Sequence, residues 1–155
     1  MPAAQQVVVD ALHAAVRLHL QAIEHYQTLS EHLGRWGYEK LAHKYADDVT
    51  EERDHLKKCL ARLEYYDVQP TYEHATPEWP RHDFEGILSA NYSLETAAAQ
   101  AERAGILTCR SVGDELSAMV FADLLEGSEG SIREIEATQK VIEQIGLDNY
   151  LSVQV

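Results

Sequence analysis

Apolar residues recur every three or four positions through most of this chain, the spacing that lays one stripe along one face of an α-helix. From about Ala4 to Leu33 the stripe reads Val8, Leu12, Ala15, Ala22, Ile23, Tyr26, Leu29 and Leu33, and Gly34 follows it as a helix stop. A second pattern, from about Tyr38 to Tyr65, carries Tyr45, Val49, Leu56, Cys59, Leu60 and Leu63. Only Gly34-Arg35-Trp36-Gly37 separates the two, so the second helix returns antiparallel to the first. A third stripe begins near His82-Asp83, runs to about Cys109 and holds Ile87, Leu88, Leu94, Ala98, Ala99 and Ile106. Ser111 or Asp114 caps a fourth, which carries Leu116, Met119, Val120, Leu124, Ile132, Ile135, Val141 and Ile142 up to Gly146. Asp148 starts a short fifth helix, about 148–152. No strand pattern occurs, so the predicted class is all-α in a single domain, 1–155. Asp67 to Pro80 holds Pro70, Pro77 and Pro80 without helical periodicity. A connection of that length suits one domain if it crosses the length of a bundle and joins a second helix to a third that runs parallel to it. The predicted architecture is a four-helix bundle with one long crossover loop.

Composition narrows the function classes. The chain has 155 residues with 45% apolar content, enough for a sizeable core. No apolar run approaches a membrane span, and the N-terminus has no signal-peptide h-region, so a cytoplasmic protein with no membrane partner is expected. The formal net charge of −13 argues against nucleic-acid binding, which needs Lys and Arg against phosphates, and suits attraction of cations. Cys59 and Cys109 sit in helical patterns outside any C-x-x-C, as small buried hydrophobes do. Asn91-Tyr92-Ser93 matches a glycosylation acceptor but falls mid-helix.

Candidate chemistry centres on Glu52-Arg53-Asp54-His55. Residues three apart share a helix face, and the apolar pattern turns Glu52 and His55 inward. A buried carboxylate needs a proton, a cation or a metal. Glu-x-x-His aimed into a helix bundle is half of a di-metal carboxylate site.

Trp36-Gly37, Glu52-x-x-His55, the crossover, Leu94-Glu95, Ser111-Val112-x-Asp114 and the ending Gly146-Leu147-Asp148-Asn149-Tyr150-Leu151 together make the chain resemble a bacterioferritin subunit over nearly its whole length. The resemblance implies a ferritin-like four-helix bundle, a 24-subunit cage that oxidises ferrous iron and stores ferric mineral, and a di-iron site with six ligands. Three of those positions match here: Glu52, His55 and Glu95. The first-helix Glu is replaced by His19, a possible substitute ligand. The fourth-helix Glu and His are replaced by Ser128 and Ser131, and Glu129, one position along, points about 100° away. The family's haem-ligating methionine position holds Arg53, so haem is not expected by that route. Asp47 and Glu51, with Asp48 beside them, fall on the helix face that lines the cage interior in the family and are further candidates for collecting iron.

The expected function is iron storage by a cage subunit with an incomplete di-iron site, in a homo-oligomer or beside a catalytically complete second subunit. One alternative is a metal-dependent oxidase, ferroxidase or peroxide-consuming, built on His19, Glu52, His55 and Glu95. Another is a structural cage subunit without metal in the bundle.

Overall fold

A computed structural model describes residues 1–74 and 83–155. Pro77, Pro80 and His82 of the crossover lie outside the described residues. The described residues form four long helices and one short one: α1 (Ala3–Arg35), α2 (Glu39–Tyr65), α3 (Phe84–Ser111), α4 (Glu115–Ile145) and α5 (Leu147–Ser152). Several boundaries follow from local chemistry. Asp83 and Asp114 cap α3 and α4 by accepting from Gly86 N and Ser117 N. Asp67 turns the chain out of α2 at φ 55°, a left-handed backbone that Asp tolerates better than most residues. Gly146 separates α4 from α5 at φ 82°, so α5 starts one residue before the expected Asp148.

Side-chain contacts give the helix directions. His19 meets Glu52 and Ser30 meets the carbonyl of Ala42, so α1 and α2 are antiparallel. Tyr26 bonds Glu95, and His19, seven residues earlier, lies beside Glu102, seven residues later, so α1 and α3 are antiparallel as well. With α1 opposed to both, α2 and α3 are parallel, as the long crossover requires. The described start of that crossover lies on the bundle: Val68 packs against the core and His74 bonds Glu24.

Among the described residues the core divides into two apolar clusters. One holds Leu29, Leu33, Leu41, Ile87 and Ile142, with Tyr150 and Leu151 of α5 laid against it. The other holds Leu12, Val16, Cys59, Leu63, Phe121 and Leu124. Near the middle of the bundle sits a layer of buried polar groups. At Gly105, a Cβ would lie 2.5 Å from the Phe121 ring, so glycine permits the close approach of α3 and α4.

One predicted stripe is rotated. Leu116 and Met119 are 64% and 57% exposed and Val141 is also on the surface. The buried face of α4 is instead Ser117, Ala118, Phe121, Leu124, Ser128, Ile135 and Ile142. Small residues at Ser117, Ala118 and Ser128 let α4 pack closely, and hydrophobicity alone does not mark them as inward.

Candidate metal centre

The polar layer is assembled from all four long helices. α1 supplies His19, α2 supplies Glu52 and His55, α3 supplies Glu95 and Glu102, and α4 supplies Ser128, every one of them buried. His19 Nδ1 lies 2.6 Å from Glu52 Oε2. His55 Nδ1 is 3.8 Å from the same oxygen, beyond hydrogen-bond range. The two imidazoles meet edge-on with ring centroids 5.3 Å apart. Among the described residues, His19, Glu52 and His55 form a group whose ligand atoms all lie within 4.8 Å of one another. On the far side of His19, Nε2 is 3.8 Å from Glu102 Oε1, and Ser128 Oγ donates to that oxygen at 3.2 Å. Glu95 is turned elsewhere and accepts a hydrogen bond from Tyr26 Oη.

The carboxylates are electrostatically unequal. Burial works to raise the Glu52 pKa, but the His19 bond and the neighbouring His55 outweigh it and bring it down to about 2. Burial pushes Glu95 up to about 8; the Tyr26 bond opposes this, and the charges of Glu52 and Glu102 add to it. Glu102 is also raised, chiefly by burial, against the pull of His19. For His55, burial lowers the pKa, but the adjacent Glu52 more than offsets it and the net direction is upward.

The donor set fits a divalent cation. His19 Nε2, His55 Nδ1 and Glu102 Oε2 are buried and have no hydrogen-bond partner. Each such atom is a desolvated polar group, costing about 1–3 kcal/mol when left unsatisfied. Imidazole nitrogen with carboxylate oxygen suits iron, zinc or manganese. Access exists from outside: a cleft of about 330 Å³, lined by Glu51, His55, Asp123, Glu126, Gly127 and Gly130, reaches the His55 ring.

A family model described as the ferritin-like domain matches residues 9–145. The chain belongs to the ferritin-like family. It is similar to the bacterioferritin of Brucella melitensis, 27% identical over 143 residues that cover 92% of this chain and 89% of that protein. It is similar to the bacterioferritin of Rhodobacter capsulatus at 28% identity, covering 90% and 86% of the two chains. The bacterial ferritin of Pseudomonas aeruginosa is 26% identical over 151 residues, 96% of each chain.

In this ferritin-like chain the candidates drawn from sequence separate into groups. His19, Glu52 and His55 come together. Glu95 lies outside that group, its carboxyl bonded by Tyr26, two turns along α1 from His19. Asp47 and Glu51 are exposed, and Glu51 stands at the mouth of the cleft beside His55. Asp48 is bonded to Lys44 at 2.8 Å, so its charge is already met. Ser131 lines a narrow space with Tyr26, Asp48 and Glu134. Arg53 is exposed on α2, and Glu129 faces outward to Arg103 at 2.8 Å. Asn91 is buried between His25 and Tyr45, which explains a glycosylation motif in the middle of a helix.

Glu102 is the residue that sequence reading missed. It adds a third buried carboxylate to Glu52 and Glu95. Its signal was available: it lies seven residues after Glu95, two helical turns along the same face, beside the inward Ala98 and Ala99.

Proposed function

We propose that this chain is an iron-storage subunit of the bacterioferritin type whose bundle site holds one metal ion in place of an iron pair. The observation carrying the reading is the fourth helix. Ser128 stands where a carboxylate would complete a second iron position, and its hydroxyl is engaged by Glu102. Two ferrous ions side by side need carboxylates from opposite helices to share their charge, and α4 has no carboxylate among its buried residues. A subunit of this kind contributes shell, acidic interior surface and cation binding, while rapid paired oxidation falls to a complete subunit in the same cage. Location in the cytoplasm and a cage of 24 subunits belong to this reading.

Anaerobic titration of the metal-free protein with ferrous iron tests it. The expected result is one tight ion per chain, followed by slow ferric formation when oxygen is added. Two tight ions per chain with rapid oxidation would overturn the reading. Native mass spectrometry of the assembly purified from its own host tests the mixed cage: a co-assembled second subunit is expected, and a homomeric cage removes that part.

A second reading, an oxidase with a single metal, is favoured by the cleft that brings solvent to His55. Stopped-flow absorbance after mixing with ferrous iron and oxygen separates the two. The oxidase reading requires fast turnover that Glu52→Ala abolishes.

A further inference from the structure

Resting on the one-metal reading above, we propose that Glu102 is a positioning residue and not a ligand. It accepts the N–H of His19 Nε2, so that His19 presents Nδ1 to a divalent cation shared with Glu52 and His55, and Ser128 holds Glu102 in place. The line of contacts runs from Ser128 on α4 through Glu102 on α3 and His19 on α1 to an ion beside α2.

The two nitrogens of an imidazole point away from each other, and those of His19 meet different partners. Its Nδ1 lies 2.6 Å from Glu52 Oε2, and His55 Nδ1 lies 3.8 Å from that same oxygen, so this edge of the ring faces the group that could hold an ion. The opposite edge faces α3, where His19 Nε2 is 3.8 Å from Glu102 Oε1. A metal-bound imidazole is neutral and carries its one proton on the nitrogen away from the metal. Metal-ligating histidines almost always donate that proton to a carboxylate, a carbonyl or water. Here a carboxylate stands on the required side. His19 Nε2 and Glu102 Oε2 are both buried without a hydrogen-bond partner. The two side chains are 3% and 2% exposed, so bulk water does not supply the missing bond. A closure of about 1 Å brings nitrogen and carboxylate to ordinary N–H···O length. Ser128 Oγ donates to Glu102 Oε1 at 3.2 Å, which fixes the carboxyl and leaves Oε2 for the ring. Outer partners of this kind are worth about 10–100-fold in metal affinity.

Zinc is the first probe. Wild type carrying isotopically labelled histidine is loaded with one equivalent of zinc per chain, and solid-state NMR reads which nitrogen of each bound ring carries the metal and which the proton. Two bound rings are expected, both coordinated through Nδ1 and protonated at Nε2, one of them with its N–H proton shifted downfield by a carboxylate. A bound ring coordinated through Nε2 overturns the assignment. Cobalt(II) is the second probe, because its visible absorption reports the ligand set as well as occupancy. Glu102→Ala should weaken cobalt binding by about 10–100-fold with the absorption bands kept in place, since the ligand atoms are unchanged, and should lose the downfield N–H signal. Glu102→Gln keeps an acceptor oxygen and should recover part of the affinity. Displaced bands in Glu102→Ala mean a lost ligand, and unchanged affinity means an idle carboxylate; either result overturns the proposal and leaves the one-metal reading standing. If Glu102→Ala does not fold, the wild-type NMR decides alone. No zinc bound to wild type, or two tight zinc ions per chain, overturns the one-metal reading and the proposal with it.

Discussion

Two glycines on one helix illustrate how far a single Cβ can matter. At Gly127 an added Cβ would come within 2.6 Å of His55 Cε1, whereas at Gly130 nothing lies within 4 Å. Alanine brings about 1 kcal/mol of helix propensity at either place. At Gly127 that gain is set against overpacking of a buried ring, about 1–3 kcal/mol. Gly130→Ala is therefore expected to raise stability by about 0.5–1 kcal/mol in urea denaturation, and Gly127→Ala to lower it by about 1 kcal/mol and weaken metal binding through His55. Glu95 gives a second prediction at this scale. Its folded pKa of about 8 lies above the ordinary 4.5, so the folded state favours the protonated carboxyl. The favourable contribution is full below pH 4.5 and is lost as pH rises toward 8. Urea denaturation of metal-free protein across this range should show Glu95→Gln flattening the fall and being the more stable form at pH 8, by on the order of a few kcal/mol. Glu52 has the opposite sign: held at about 2, it stabilises the fold above pH 4.5, and that contribution disappears as pH falls toward 2.

Among the elements, the start of α4 is tied most heavily. Asp114 caps it through Ser117 N at 3.0 Å, accepts from Arg62 at 3.3 Å, and is bonded by Tyr66 Oη. One carboxylate thus fastens the first turn of α4 to the last turn of α2. Asp114→Ala removes a cap, worth about 1 kcal/mol, and strands two donors, so a total loss of about 1–3 kcal/mol is expected in equilibrium denaturation. Asp114→Asn should recover most of the capping part. The sequence offered Ser111 and Asp114 equally as caps. Tertiary contact separates them, because only Asp114 faces the end of α2, while Ser111 bonds back to Thr108 O within α3.

At the scale of the whole molecule, some of the exposed apolar side chains flank the turn between α3 and α4. Leu107, Leu116 and Met119 are 71%, 64% and 57% exposed. An assembled shell would give these side chains a place out of water, which belongs to the cage reading and can be measured. Native mass spectrometry of wild type should show a large closed oligomer, and Leu116→Glu should shift the population to smaller species with helix content unchanged.

The helix pattern, the short turn at Gly34-Arg35-Trp36-Gly37 and the long break after Asp67 determined the bundle and its crossover, because burial of one stripe per helix leaves few ways to pack four of them. Glu52 and His55 were legible as an inward pair from spacing alone, and His19 from its place among Ala15, Ala22 and Ile23. Which carboxylate of α3 lies beside His19 was not legible. Glu95 and Glu102 lie on the same inward face, and periodicity treats them alike. Their partners separate them: Tyr26 draws Glu95 away, and Ser128 holds Glu102 beside His19. The buried face of α4 was likewise decided in three dimensions, where Ser117, Ala118 and Ser128 are inside because they are small and Leu116 and Met119 are outside. Sequence determined which residues share a helix face; only packing decided which atoms on those faces meet, since that depends on axial offsets between helices that no single helix encodes.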